Sequence, residues 1–280
     1  MSATPAQAAQ SATSRGETWL AALGGNAARL PGYPASVQVA DVETAGRAAR
    51  LIAVVPDAAS PFPRARQGEV GLLEGWSLAR AVHEAVAADR DRPVKRAIVA
   101  IVDTPSQAYG RREEAFGIHQ ALASAAAAYA TARLQGHPVI ALLVGKAMSG
   151  AFLAHGYQAN RILALRDPGV QVHAMGKEAA ARITLRSVED LEAFAATVPP
   201  MAYDLDNYAT LGLLWRTIAV HDAAAPNAQD LAAVQGQLAE ALADIDADPQ
   251  RDLRSRLQGE NRGATRQARA LLASQWQDKD

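Results

Sequence analysis

An α/β fold is expected from three features of the sequence. Two continuously apolar runs of six residues, Ala97–Val102 (AIVAIV) and Val139–Val144 (VIALLV), are too short for amphipathic helices and read as buried strands. Between them, Glu113 to Gln135 is Ala-rich with high helix propensity, and Gly136 and Pro138 supply a stop. Ahead of the first run, Leu73, Trp76, Leu78, Ala81, Val82 and Ala85 recur at three- and four-residue spacing, which predicts an amphipathic helix over Leu72–Ala88. Strands alternating with helices give a sheet covered by helices.

The remaining elements follow in order. Met1 to Ser14 is small and polar, so a disordered lead-in is expected over 1–16 rather than a signal peptide. Val37–Val42 and Leu51–Val55 read as paired strands, and Pro61, Pro63, Arg64 and Arg66 as a loop. Thr104-Pro105-Ser106 breaks the first buried strand after Asp103. Gly145 to Ser149 reads as a loop feeding a short helix from Gly150 to Gln158. Ile162–Leu165 and Val170–His173 then read as strands around an Asp167-Pro168-Gly169 turn. From Ser187 strand signals fade, and Ser187–Ala196, Ala228–Ala243 and Arg251–Gln275 look helical. The expected organisation is a core over 17–203 and a helical region over 204–280 that packs on the core or on a partner.

Composition narrows the chemistry. The 280 residues are 49 % hydrophobic and 20 % charged, which excludes a disordered or collagen-like chain, and no apolar run approaches the ~20 residues of a membrane helix. The 28 basic and 29 acidic residues leave a net charge of -1, with no global attraction to nucleic acid or an anionic membrane. With no cysteine there is no disulfide, thiolate nucleophile, iron–sulfur cluster or cysteine zinc site, and a reducing cytoplasm is compatible. The six histidines form no H-E-x-x-H or other compact set, so no metal is expected. Neither G-x-G-x-x-G nor a phosphate-binding G-x-x-x-x-G-K-[ST] occurs, which removes the usual grounds for NAD or ATP.

Two places can carry chemistry. If Gly150 and Ala151 open a helix, their N–H groups lack helical acceptors and can donate to one developing oxyanion, with no side chain at Gly150 to obstruct it. The plainer reading is a tight strand-to-helix turn. Ser149 invites a nucleophile reading with His155 or His173 as base and Asp103 or Asp167 behind it, but G-x-S-x-G is absent and a hydroxyl in a cramped turn usually serves the backbone. The segment Ser106 to Glu114 follows a buried strand, where open α/β folds bind ligands. Ser106, Gln107, Tyr109 and Gly110 lie in it, and Arg111 and Arg112 oppose the dipole of the following helix, which suggests a bound anion or else two solvated arginines. Lys146 could also bind an anion or simply reach solvent.

Blocks spread over the chain resemble the carboxyltransferase branch of the crotonase superfamily. They are Val102-Asp103-Thr104-Pro105, Glu114, Gly117-Ile118, His137-Pro138-Val139-Ile140, Gly145 to Phe152, and Val172-His173-Ala174-Met175-Gly176. Ser106 to Glu114 in place of the family's GFLPG loop, Ser149-Gly150 in place of Gly-Gly, Phe62 to Arg66, Gly68 to Leu72 and Pro199 to Asp204 are similar to the gamma subunit of biotin-independent malonate decarboxylase.

This resemblance implies a crotonase-like fold of repeated ββα units and an active site shared with a beta subunit. It implies decarboxylation of malonyl-S-acyl-carrier protein to the acetyl thioester, with no cofactor held by this chain. The carrier (delta) subunit would bring a phosphoribosyl-dephospho-CoA arm, and an alpha subunit would pass the carrier thiol to malonate. Gly150 and Ala151 match the family's second oxyanion pair, and Ser106, Gln107, Tyr109, Gly110, Arg111, Lys146 and Ser149 fall on the substrate side. A carboxyltransferase half of a biotin-dependent enzyme, a crotonase-fold serine hydrolase and a non-catalytic subunit are the alternatives.

Overall fold

The computed structural model describes residues 13–277. Of the expected lead-in, residues 1–12 lie outside the described residues, and helix α1 (Arg15–Gly24) already begins two residues ahead of the expected boundary. Ser14 caps it by accepting from the Glu17 N–H, and Trp19 and Leu20 are fully buried. The Trp19 indole donates to the Ala223 carbonyl at 2.8 Å, tying α1 to a segment 204 residues further along the chain.

The expected strand pair is an antiparallel hairpin of β1 (Val37–Thr44) and β2 (Arg47–Val54), turned by Ala45 and Gly46 at positive φ. Helix α2 (Leu72–Ala88) occupies the span that its apolar spacing predicts, and β3 (Ala97–Thr104) returns parallel to β2. The Ala-rich stretch is not one helix. It divides into α3 (Arg111–Ala115) and α4 (Ile118–Leu134) because Gly117 takes a left-handed φ of 81°. Ala121, Ala125, Ala128 and Ala132 are buried along α4, where small side chains let the helix lie close to its neighbours.

Strand β4 (Val139–Met148) runs past the expected end at Val144, so most of the anticipated 145–149 loop is strand. The extension has a partner of its own. Ile140–Leu143 pair with β5 (Arg161–Leu165), whereas Lys146–Met148 pair with β6 (Gln171–His173). Helix α5 (Ser149–Ala154) is shorter than expected, since His155 is already extended. Helices α6 (Lys177–Thr184), α7 (Val188–Ala195) and α8 (Leu205–Thr210) follow.

The C-terminal region contributes more than helix. A short strand, β7 (Arg216–Ile218), pairs parallel with β5 and completes the sheet order β1-β2-β3-β4-β5-β7, with β6 beside the end of β4. Helix α9 (Ala228–Ala247) buries Val234, Leu238, Ala241, Leu242 and Ile245 in the same apolar cluster as the sheet. Each of the valine, leucine and isoleucine side chains contributes roughly 1.5–3 kcal/mol of burial. Helix α10 (Gly263–Gln277) leaves Leu271, Leu272 and Trp276 exposed.

Candidate active site

The site grows from an irregularity between two central strands. Val102 pairs with Leu143 but Thr104 with Ala147, so four residues of β4 oppose two of β3 and the chain must bend at Gly145. A Cβ at Gly145 would overlap the Asp103 carboxylate, which accepts from the Lys146 N–H at 3.1 Å and faces the Gly16 N–H at 3.4 Å. The bend delivers β4 into a tight turn. There Ser149 has φ 51°, a left-handed conformation that costs a non-glycine residue roughly 1–2 kcal/mol.

That strain is matched by two hydrogen bonds to the loop after β3. The Gln107 N–H donates to Ser149 Oγ at 3.1 Å, and Gln107 Oε1 accepts from the Gly150 N–H at 3.1 Å. On its other side the loop is clipped to the segment before α2, Val70 N–H donating to Ser106 O at 3.1 Å and Ala108 N–H to Val70 O at 2.8 Å. Gln107 is thus held from both flanks.

Turn and loop open onto a cavity of about 820 Å³. Ser106, Gln107, Tyr109, Glu114, Ser149 and Gly150 line its polar side, and Met148, Phe152, Met175, Leu211 and Leu213 are among its apolar walls. Among the described residues no lysine or arginine lines it. A second cavity of about 550 Å³ is lined by Asp167 but by none of the expected substrate-side residues, and its Lys177 and Glu192 pair with each other.

The other expected residues stand outside this lining. Ala151 is fully buried beneath the turn, and Gly110 precedes α3 in extended conformation. Arg111 is the exposed first residue of α3, and Lys146 is exposed on β4. Arg112 stacks over Phe62 and Phe116, and Tyr109 lies 4.3 Å beneath the Arg64 guanidinium, itself paired with Glu69. The apolar walls come from elements separated by some 65 residues of chain. The Gly145–Phe152, Val172–Gly176 and Pro199–Asp204 blocks mark part of them, and no local sequence signal marks Leu211 and Leu213.

No nucleophile triad assembles. Asp103 serves backbone N–H groups, Asp167 pairs with Arg15 at 2.7 Å, and His173 Nδ1 is engaged by Met175 while its ring stacks on Tyr203 at 3.9 Å. His155 is sealed in the core between Tyr129 OH and the Ile101 carbonyl, each at 3.0 Å. Because a carbonyl only accepts, Nε2 carries the proton and Nδ1 accepts from the phenol.

Burial lowers the His155 pKa from 6.5 to about 4. A histidine folded in its neutral form gives stability that is complete above about pH 6.5 and lost as pH falls toward 4, roughly 3 kcal/mol in all. Burial lowers His137 and His173 in the same direction. Denaturant midpoints are therefore expected to fall between pH 6.5 and 4, less steeply in His155→Gln. An equal slope in both proteins would contradict this.

The profile of the malonate decarboxylase gamma subunit family matches residues 65–276. The chain belongs to that family. The Pseudomonas malonate decarboxylase hetero-tetramer in complex with coenzyme A contains a chain 67 % identical, covering 94 % of this chain and 100 % of that one, with a TM-score of 0.91. The Pseudomonas MdcD-MdcE hetero-dimer gives 64 % identity over 94 % of this chain and 99 % of that one, with a TM-score of 0.87. The malonyl-S-ACP:biotin-protein carboxyltransferase MADD of Malonomonas rubra is 40 % identical over 154 residues, 54 % of this chain and 53 % of the relative. The chain spans about half the length of that curated relative. Transcarboxylase 12S, at 20 % identity over 82 % of this chain and 41 % of its own, shares the fold with a TM-score of 0.63. The crotonase-like α/β fold implied by the resemblance is the fold of this family member. Among the described residues no helix is long and apolar enough to cross a membrane, and no group of three or more His, Asp or Glu could hold a metal ion.

Proposed function

We propose that this gamma-family chain completes, with a beta-type subunit, an active site that converts malonyl-S-acyl-carrier protein to acetyl-S-acyl-carrier protein and CO2. The observation that carries the reading is the Gln107–Gly150 turn opening on a large cavity with apolar walls. When the C–C bond to the carboxylate breaks, its electron pair passes into the thioester as an enolate, whose α-carbon then takes a proton from solvent water to give the acetyl thioester. Fixed neutral N–H donors stabilise that charge. Gly150 and Ala151 lie where the family pattern puts an oxyanion pair, with the other pair on the beta side, and the Gly150 N–H is engaged by the Gln107 carboxamide oxygen.

An apolar wall suits the same reaction. It disfavours an ionised carboxylate and tolerates neutral CO2, which favours bond cleavage. Ser106, Gln107, Tyr109 and Ser149 would contact the acyl group. Gly110, Arg111 and Lys146, set outside the lining, would meet the phosphate-bearing phosphoribosyl-dephospho-CoA arm of the delta carrier. An alpha subunit would then return the carrier thiol to malonate. A cysteine-free chain fits a reducing cytoplasm.

The test uses the assembled complex and malonyl-S-carrier. Equal release of CO2 and acetyl thioester is expected, unaffected by avidin, with Ser149→Ala keeping activity within about tenfold. Inhibition by avidin would make the chain a biotin-dependent carboxyltransferase half. Loss of roughly 10⁴-fold in Ser149→Ala would make it a serine hydrolase.

A further inference from the structure

We infer that the donor this chain presents to the enolate oxygen is the carboxamide N–H of Gln107, with the Gly150 N–H behind it as the group that fixes the carboxamide. The inference rests on the reading of the cavity as a malonyl-thioester site. A backbone N–H can only donate, so the Gln107 face turned toward Gly150 is its oxygen, at 3.1 Å. Nε2 is then the opposite face of the same amide. It makes no hydrogen bond among the described residues, and Gln107 lines the cavity.

The carboxamide is fixed in advance. Its backbone N–H is bound to Ser149 Oγ, the peptides on both sides are clipped to Val70, and its oxygen is bound to Gly150. An oxyanion therefore meets a donor that needs no reorganisation, which is the condition for large electrostatic stabilisation. Donation by Gly150 to Oε1 also polarises the amide and strengthens Nε2–H as a donor. The unfavourable φ of Ser149 gains a purpose, because only a side chain at that position supplies the Oγ that holds Gln107. No proton moves to or from Gln107. The electron pair of the broken C–C bond resides on the enolate, whose oxygen accepts the hydrogen bond.

The test compares Gln107→Met and Gln107→Glu with the unsubstituted chain, each assembled with the beta-type subunit. In Gln107→Met, kcat for CO2 release is expected to fall ~10²- to 10³-fold, the scale of losing one oxyanion donor. KM should change less than about threefold, and assembly and Tm should be retained. Gln107→Glu keeps an acceptor for Gly150 but donates only when protonated. Its kcat should be low near pH 8 and rise as the pH falls toward about 4, where a carboxyl group takes up its proton.

A kcat within about threefold in Gln107→Met, or an increase as the Gly150 N–H becomes available to substrate, would overturn the inference. So would a flat pH profile in Gln107→Glu, which also decides the matter if Gln107→Met fails to assemble. An unsubstituted complex that releases no CO2 would overturn the reading of the cavity, and this assignment with it.

Discussion

Gly150→Val is expected to lower CO2 release by the assembled complex ~10²-fold or more while the chain still folds and assembles. A Cβ at this position would overlap Gln107 Oε1 whatever the rotamer, and the branch of valine adds bulk at the same point. Gln107 must swing away, so the bond from the Gly150 N–H to Oε1 is lost together with the pre-set donor geometry. Steady-state rates and a melting curve on the same preparation separate this from unfolding. A fully active Gly150→Val complex would mean that the turn only shapes the backbone.

The largest expected effect on stability lies at the opposite end of β3. Asp89, fully buried where α2 ends, accepts from the Arg96 backbone N–H at 2.7 Å, from Nε at 3.1 Å and from Nη2 at 2.9 Å. The Arg96 guanidinium also donates to Asp41 at 3.0 Å. Asp89→Ala would leave a largely buried guanidinium and the N–H that leads into β3 without their main acceptor. Breaking such a pair costs about 3–5 kcal/mol. Denaturant titration at neutral pH measures it. A loss below about 1 kcal/mol would show that Asp41 or water replaces the carboxylate, and the kcat of the remaining folded protein should be unchanged.

What the sequence made legible were the features set by local pattern. Helix α2 and the apolar segments AIVAIV and VIALLV are defined by periodicity and burial, and they appear where periodicity puts them. Features that depend on a distant partner were not legible. The extension of β4 through Met148 exists because Gln171–His173 come back to pair with it, and Arg216–Ile218 is a strand only because β5 offers an edge. The break at Gly117 was hidden by alanines whose helix propensity outweighs any local sign of a turn. Helix α1 did carry a signal, Ser14 followed three residues later by Glu17, in a stretch whose composition suggested disorder.

The site divides in the same way. Gly150 as a close-approach position follows from its strand-to-helix context, and the loop after β3 from the rule that ligands bind at strand ends. That the carboxamide of Gln107 occupies the Gly150 N–H depends on a contact spanning 43 residues and on a two-residue mismatch between strands. Neither leaves a trace in local composition.

The central claim is that this chain holds one half of a shared decarboxylase site. CO2 release from a malonyl thioester should be measured with the purified chain alone, with a beta-type subunit alone, and with the two mixed. Activity is expected in the mixture only. Turnover by the isolated chain would contradict a shared site, and silence in the mixture would contradict the malonyl-thioester chemistry itself.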